Sequence, residues 1–268
     1  FGAGRLAGEP LQSLMARATF SGSDVKIENI DANLDAGHII ASGTYNTSSK
    51  IFDLQGRAEE VQLNRLSALA NRPGLPPLTG TADLTAHVVG SLADDDFSNY
   101  QINFDGTGKD VTINGRPAGT LALAGRTENK QLSITFTTGM LGQPQVVAAR
   151  VNLGDAKLAS ELETTLNDAD LTTLMGMILP QSTVNITGRA TGTIKASGNL
   201  VDDDNEFSLA GLQGTANLTV LTFRVEDVQL TATSPLVVQF SPSDVFFEKT
   251  QFTGPGTNIL LGGRLAVG

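Results

Sequence analysis

Cysteine and tryptophan are absent from this sequence of 268 residues, and histidine occurs only twice. Without cysteine the chain can form neither disulfides nor thiolate metal sites. The two histidines, His38 and His87, lie far apart and show none of the histidine spacings that zinc enzymes use. A catalytic triad needs a histidine beside its serine and aspartate, and with so few histidines a triad is improbable although serine and aspartate are plentiful. We therefore expect no metal site, no cofactor, no catalytic residues and no enzymatic activity.

Basic charge and aromatic residues are also scarce. The net charge is −10, the pI is about 4.6, and aromatic residues make up 5% of the chain. Nucleic acid requires a basic surface, and single-stranded nucleic acid is usually stacked on aromatic side chains, so nucleic acid is excluded as a partner. No apolar run approaches the ~18 residues that cross a bilayer as a helix. We expect any membrane anchor to lie outside this sequence.

The sequence contains an internal repeat. Residues 79–96 (TGTADLTAHVVGSLADDD) and 187–204 (TGRATGTIKASGNLVDDD) align without a gap and share 9 of 18 residues. We call the offset that takes residue 79 to residue 187 the repeat period. Both segments end in three aspartates, which lack the alternating ligands and the terminal glutamate of a calcium loop and so predict solvated turns. A fixed internal period predicts an array of similar units, each of which packs against the next.

Similarity at the two ends of the sequence extends this repeat. Residues 25–30 resemble residues 223–228 in type, and residues 38–43 resemble residues 258–263. We therefore predict one continuous array that is a piece of a longer protein. Its expected parts are a partial unit in residues 1–74, a full unit in 75–182 and a partial unit in 183–268.

Apolar and polar residues alternate over most of the chain, which is typical of strands with one buried face. The pairs Asn114-Gly115 and Ser197-Gly198 predict short turns between strands, and such closely spaced strands indicate an antiparallel sheet. Helical spacing occurs only in Leu63–Ala70 and in Asp168–Leu179, where Asp168 is the predicted N-cap.

The fold class predicted from these patterns is all-β with minor α content: a repeat-built, curled antiparallel sheet that forms an elongated groove, with short amphipathic helices. Small residues on the predicted inner face, such as Ala86, Ala190 and Gly192, favour an open groove, and a closed sandwich or barrel is the alternative. The residues predicted to line the groove are Leu84, Val88, Ile102, Phe104, Leu132, Ile134, Phe136, Ile194, Leu218 and Val220.

Three features of the sequence resemble the AsmA-like and TamB family. They are the V-x-I-x-x-I strand Val25–Ile30, the L-x-x-L segment Leu63–Leu66, and Leu78–Gly90 leading into the acidic turn Asp94–Asp96, each with a later counterpart. The resemblance implies a periplasmic segment of an inner-membrane-anchored protein whose sheet curls into a β-taco-like groove. It also implies phospholipid acyl chains as cargo, and an outer-membrane protein partner contacted by regions outside this sequence.

Together these observations predict a non-catalytic phospholipid conduit that shields acyl chains between the inner and outer membranes. Burial contributes about 0.8 kcal/mol per CH₂ and has no direction, so chains can slide along an apolar groove. The main alternative is a scaffold or chaperone-like module for outer-membrane protein assembly, which binds strands at its sheet edges by β-augmentation. A closed structural repeat, as in an adhesin stalk, and a hydrolase are the remaining alternatives.

Overall fold

Strands form most of the structure, a computed structural model that describes residues 4–6, 9–65, 77–93, 96–173, 186–225 and 227–266. All strand pairings given below are antiparallel, which confirms the predicted all-β antiparallel class with minor helix. The strands are β1 Gly4–Leu6, β2 Glu9–Ser21, β3 Asp24–Leu34, β4 Gly37–Asn46, β5 Ile51–Gln62, β6 Leu78–Ser91, β7 Gln101–Ile113, β8 Arg116–Pro117, β9 Leu121–Glu128, β10 Gln131–Thr138, β11 Gln145–Asn152, β12 Ala159–Asp170, β13 Ile186–Asn199, β14 Gln213–Val225, β15 Val228–Ala232, β16 Leu236–Phe240, β17 Asp244–Gly254 and β18 Thr257–Ala266.

Helical structure is short in the part of the chain that the structure describes. Residues 63–65 and 171–173 are helical, directly after β5 and β12, and Phe97–Asn99 form a 3₁₀ turn before β7. The rest of both predicted helices, residues 66–70 and 174–179, lies outside the described residues.

The N-cap of the second helix is Asp170 and not Asp168. The backbone N–H of Thr173 donates to Asp170 Oδ1 at 2.8 Å, which is the usual capping contact three residues into a helix. The prediction of Asp168 was wrong because β12 continues to Asp170. Asp168 instead occupies a β-bulge with a left-handed φ of 44°.

The repeat period of the sequence corresponds to seven strands of the structure. One repeat period after β5 (residues 51–62) lies β12 (residues 159–170), with the same length and ends. One repeat period after β6 (residues 78–91) lies β13 (residues 186–199). The β5–β6 pair has a register shift between Ala58 and Val61, and the β12–β13 pair has the same shift between Leu166 and Ala169. The two copies of the repeat therefore share their cross-strand register as well as their strand order.

The bulge inside this repeat is stabilised in the same way in both copies. Glu60 and Asp168 have left-handed φ angles of 51° and 44°. The Glu60 N–H donates to Asp83 Oδ1 at 2.9 Å, and the Asp168 N–H donates to Thr191 Oγ1 at 3.1 Å. Asp83 and Thr191 are also one repeat period apart, so a side-chain oxygen replaces the lost ladder acceptor in each copy.

A second repetition links the first and last hairpins, with an offset that takes residue 24 to residue 244. β3–β4 pairs Asp24 with Asn46, and β17–β18 pairs Asp244 with Ala266. This confirms the predicted likeness of residues 38–43 and 258–263, which lie in β4 and β18. Residues 25–30 lie within β3, whereas residues 223–225 end β14 and Val228 begins β15, so the likeness in residue type between 25–30 and 223–228 does not correspond to equivalent strand positions.

The chain divides into two compact units, Phe1–Phe136 with Asn152–Gly154, and Thr137–Val151 with Asp155–Gly268. In unit 1, β2 to β7 pair in chain order, and β7 then pairs with both β8 and β9. In unit 2, β12 to β14 pair in order, and β14 pairs with both β15 and β16. The predicted unit boundaries, at 74/75 and 182/183, lie outside the described residues, so that division stays a prediction.

Tight turns join several of these strands. Asn114 and Gly115, with φ of 54° and 76°, form the predicted turn between β7 and β8, as expected for a type I′ turn. The turn predicted at Ser197-Gly198 was wrong, because both residues lie inside β13. Glycine is needed at residue 198 for another reason, since a Cβ there would lie 2.5 Å from the Gly211 carbonyl oxygen.

Complete burial is concentrated near the helical end of the strands in unit 2. The Phe252 side chain is 2% exposed, and its ring meets that of Phe223 edge-on at a centroid distance of 5.4 Å. The cluster consists of Leu171, Ala190, Leu221, Leu230, Leu236 and Phe252. Leu171 is the first helical residue, so the helix start is anchored on this core.

Candidate functional site

Cross-strand register places many of the apolar residues of unit 1 on one face of its sheet. Directly opposed residues form continuous rows across the strands, because the side chains of opposed residues point to the same face. We call the set of these rows the apolar face of unit 1. The rows are Ile27–Gly43–Leu54–Val88–Ile102, Ile30–Ala41–Gly56–Ala86–Phe104–Gly125 and Ala32–Ile39–Ala58–Leu84–Gly106–Leu123.

Most side chains on this face are only half-buried. β7 alternates between exposed and half-buried residues from Gln101 to Gly108, and Leu84 in the facing row of β6 remains 38% exposed. The inner residues of a closed sandwich would be covered by a second layer. The apolar face of unit 1 therefore keeps contact area available to an apolar ligand.

The apolar face of unit 1 is uneven, because large side chains and glycines lie next to one another on it. A Cβ at Gly125 would overlap the Phe104 ring, so the ring lies across the glycine in the next strand. Similarly, a Cβ at Gly106 would approach Leu84 Cδ1 to 3.1 Å. Large side chains thus lean over glycines, which leaves shallow apolar steps instead of a flat surface.

The opposite face of unit 1 is polar and joined by ion pairs between strands. His87 Nε2 lies 2.7 Å from Asp53 Oδ1, and Thr85 Oγ1 donates to Asp105 Oδ1 at 2.7 Å. His38 lies between two carboxylates, Asp31 at 3.0 Å and Glu59 at 3.4 Å. The hydrogen bond to Asp31 raises the pKa of His38, with a further contribution from Glu59. The sheet of unit 1 is therefore amphipathic.

Unit 2 has an apolar face of the same kind. Its rows are Leu162–Ala196–Gly214–Phe240–Val245–Leu265 and Thr164–Ile194–Ala216–Val238–Phe247–Gly263. On its polar face, Lys195 Nζ lies 3.1 Å from Glu163 Oε1. We call these two rows the apolar face of unit 2.

Four of the ten residues that the sequence predicted as groove lining lie together in the structure. Leu84, Val88, Ile102 and Phe104 lie on the apolar face of unit 1. In β10, Leu132, Ile134 and Phe136 are half-buried at alternate positions. Ile194 lies on the apolar face of unit 2. Both Ile194 and Leu218 pack against the buried cluster Leu141, Leu166 and Ala169, so they are partly core.

Val220 is the exception, and its predicted inward orientation was wrong. The side chain is 57% exposed, whereas that of Leu221 is 6% exposed. The cause is a register shift, in which Leu218 pairs with Gly192 but Val220 pairs with Thr191. The extra residue, Thr219, moves every later residue of β14 to the other face.

Sequence reasoning missed several residues of the apolar faces, among them Ile39, Leu54 and Leu123 in unit 1. Leu54 lies in β5, where apolar and polar residues alternate, so extending the alternation from β6 would have identified it. Ile39 and Leu123 lie in runs of consecutive apolar residues in β4 and β9, where alternation cannot assign a face.

The small residues of the predicted inner face do not all leave space. Ala190 is fully buried in the core of unit 2. A Cβ at Gly192 would overlap the Asn217 carbonyl oxygen, so glycine is required there by a neighbouring backbone. Ala86 is half-buried on the apolar face of unit 1, where a small residue does leave room.

The acidic runs form turns in which side chains bind backbone N–H groups. Asp202 Oδ1 accepts from the N–H groups of Asp204 and Glu206 at 3.0 and 2.9 Å. In the first run Asp96 is described and Asp94 and Asp95 lie outside the described residues. The Ser98 hydroxyl and backbone N–H, followed by Lys130, lower the pKa of Asp96 to about 2. Among the described residues no group of three or more His, Asp or Glu side chains could hold a metal ion.

Comparison with family models, with curated proteins and with solved structures finds no match in any of the three. The likeness to the AsmA-like and TamB family thus stays a prediction from the sequence motifs. Within the described ranges, no helix combines the length and apolarity needed to cross a bilayer.

Proposed function

We propose that the chain is a non-catalytic segment of a phospholipid conduit in the periplasm, and that its apolar faces shield acyl chains. The observation that supports this proposal is the continuous, half-buried apolar face of each unit. A polar face that carries cross-strand ion pairs lies behind it. An acyl chain on the apolar face would cover area that is otherwise exposed to water.

The geometry of the apolar rows suggests how an acyl chain would lie on the sheet. Adjacent strands are ~4.8 Å apart, so the row Ile30–Ala41–Gly56–Ala86–Phe104–Gly125, which crosses six strands, is about 24 Å long. An acyl chain along such a row meets apolar groups at every strand and no charged group. Its burial contributes about 0.8 kcal/mol per CH₂ at any place along the row, so movement meets no single deep minimum.

Neighbouring residues on opposite faces provide the test. The photoreactive residue p-benzoylphenylalanine is introduced at Val88 or Ile102 on the apolar face, and at His87 or Asn103 on the polar face. His87 and Asn103 are direct cross-strand partners, as are Val88 and Ile102. After incubation with phospholipid vesicles and irradiation, mass spectrometry should find phospholipid adducts at Val88 and Ile102 only. Equal capture by the two faces, or none by the apolar face, would contradict the proposal.

The alternative of a strand-binding scaffold for outer-membrane proteins makes a different demand. It requires unpaired backbone groups at a sheet edge, whereas the conduit requires the apolar side chains of the faces. Photocapture of lipid at Val88 is expected for the conduit and not for the scaffold. The same experiment therefore separates the two functions.

A further inference from the structure

Both tyrosines of the chain lie at the same end of the apolar face of unit 1. Tyr45 is opposed by Val25 on one side and by Phe52 on the other, and Phe52 is opposed by Gly90. A Cβ at Gly90 would lie 2.9 Å from two atoms of the Tyr100 ring, so this ring lies across the glycine. We call these five residues the tyrosine row. It lies two residues beyond the first of the three rows of that face, on the side of the β4–β5 turn.

The aromatic rings of the tyrosine row pack against one another. Phe52 is 8% exposed, and its ring meets that of Tyr100 edge-on at a centroid distance of 5.4 Å. The Tyr100 hydroxyl donates to the Ser91 carbonyl oxygen at 3.2 Å. Tyr45 and Tyr100 are both half-buried. Tyrosine has an apolar body and a polar tip, and it is favoured where an apolar region meets water. The tyrosine row is therefore the boundary between the apolar face and the solvent.

The chain beyond the tyrosine row is polar. Tyr45 is followed by residues 46–50 (NTSSK), of which residues 47–50 are exposed. Ser48 Oγ donates to Ser23 Oγ, in the turn between β2 and β3, at 2.8 Å. Lys50 adds a positive charge to this end of the sheet. Hydroxyl and ammonium groups donate hydrogen bonds, so they can bind the phosphate and ester oxygens of a phospholipid.

The other end of the same face is apolar and covered. A Cβ at Gly108 would lie 2.6 Å from both Leu121 Cδ2 and Val111 Cγ2, so these two side chains lie over the glycine. Val111 is 2% exposed, and Ala118, whose N–H donates to the Val111 carbonyl oxygen at 2.8 Å, is fully buried. The apolar face of unit 1 therefore changes along its strands from aliphatic and buried to aromatic and half-exposed.

We propose that a phospholipid bound to unit 1 has its headgroup at the tyrosine row and its acyl chains on the three rows behind it. This inference rests on the proposed function and adds an orientation to it. With the ester groups beside Tyr45 and Tyr100 and the headgroup beside Lys50, each polar group of the lipid has polar surroundings. The opposite orientation would desolvate a charged headgroup against Val111 and Leu121, which is costly. The acyl chains can still follow the rows across the strands.

The absence of tryptophan makes this orientation directly measurable. Tyr45→Trp places a single indole in the tyrosine row, and Ile39→Trp places one in the third row, both in β4. Ile40→Trp is the control on the polar face, where Ile40 is opposed by Asp31 and Arg57. Each variant is incubated with vesicles of phosphatidylethanolamine and phosphatidylglycerol. The vesicles contain phosphatidylcholine with a nitroxide either on the choline group or at the end of an acyl chain. Flotation then removes the vesicles, so that only lipid bound to the protein is measured.

Quenching of the indole fluorescence reports which part of the lipid is near. Positions 39 and 45 are separated by six residues of one strand, about 20 Å, so the headgroup nitroxide should quench Tyr45→Trp at least about threefold more than Ile39→Trp. The acyl-chain nitroxide should reverse this order, and neither nitroxide should quench Ile40→Trp. Thermal melts establish folding. Val25→Trp, in the same row, replaces Tyr45→Trp if that variant does not fold.

The outcomes separate the orientation from the proposed function. If both nitroxides quench Tyr45→Trp and Ile39→Trp no more than Ile40→Trp, lipid binding to the apolar face is itself refuted. If the acyl-chain nitroxide quenches the two apolar-face variants but the headgroup nitroxide quenches them equally, or prefers Ile39→Trp, lipid binding stands and the orientation is overturned.

Discussion

At the scale of single residues, Phe252 is the side chain on which the packing of unit 2 depends most. It is 2% exposed, belongs to the same buried cluster as Leu171 at the helix start, and meets the Phe223 ring edge-on. Phe252→Ala should lower the free energy of unfolding by about 3–5 kcal/mol, as for other buried aromatic residues. Phe246 lies in the same strand but is 41% exposed, so Phe246→Ala should cost about 1 kcal/mol or less. Urea unfolding measures both, and similar losses would contradict this description of the core.

His38 is the residue with the clearest pH dependence. Its pKa is raised above the ordinary 6.5, and the hydrogen bond with Asp31 is the largest cause. Desolvation, the next largest effect, lowers the pKa, and the hydrogen bond with Glu59 raises it again. Because the folded state stabilises the charged imidazolium, this contribution is fully present below pH 6.5. It disappears as the pH rises through the folded-state pKa.

Proton NMR can follow this titration, since His87→Gln leaves His38 as the single histidine. We expect a His38 pKa above 6.5, and a lower value after Asp31→Asn removes the first cause of the shift. A pKa that does not respond to Asp31→Asn would show that the Asp31 contact is not formed in solution.

At the scale of secondary-structure elements, the junction between β12 and the following helix depends on Asp170. Its carboxylate accepts the Thr173 N–H at 2.8 Å, and loss of such a cap costs about 1 kcal/mol. Asp170→Ala should therefore lower the free energy of unfolding by about that amount. Asp168→Gly is the control, because Asp168 is exposed in a left-handed bulge that glycine adopts freely. Thermal or urea unfolding in which Asp168→Gly costs as much as Asp170→Ala would contradict the assignment.

The elements also show how far the sequence alone reaches. Alternation and the repeat period predicted the class of fold and the equivalence of the segments that form β6 and β13. Neither pattern reveals a bulge, because one extra residue such as Thr219 changes the face of all later residues without changing their types. Val220 was misplaced for this reason. Asp168 and Asp170 are both good capping residues, and only the end of β12 decides between them. The repeat of β3 in β17 was visible as DVKIE at residue 24 and DVFFE at residue 244.

At the scale of the whole molecule, the sheet of each unit has one polar face and one apolar face that is only partly covered. Its polar face has the cross-strand ion pairs of a solvent-exposed sheet, and its apolar face has the residue types of a core although most of its side chains are only half-buried. Among the described residues, clusters of buried side chains occur around Phe252 and around Leu166. Stability can therefore come from these clusters and from strand pairing, which leaves the half-buried rows free for a ligand.

This separation predicts that ligand binding and stability can be changed independently. Ile102 and Asn103 are adjacent in β7 on opposite faces, and the Ile102 N–H donates to Thr127 Oγ1 through the backbone, so substitution preserves that bond. Ile102→Asp places a hydrated carboxylate among Val88, Leu54 and the acyl chain. Desolvating this carboxylate costs several kcal/mol, so phospholipid binding should fall about tenfold or more.

The control is Asn103→Asp, which adds the same charge opposite Arg126 on the polar face and should leave binding unchanged. Binding to fluorescent phospholipid measures both variants, and thermal melts establish that both are folded. Unchanged binding by folded Ile102→Asp would refute the conduit, because a conduit cannot be indifferent to a charge on its apolar face.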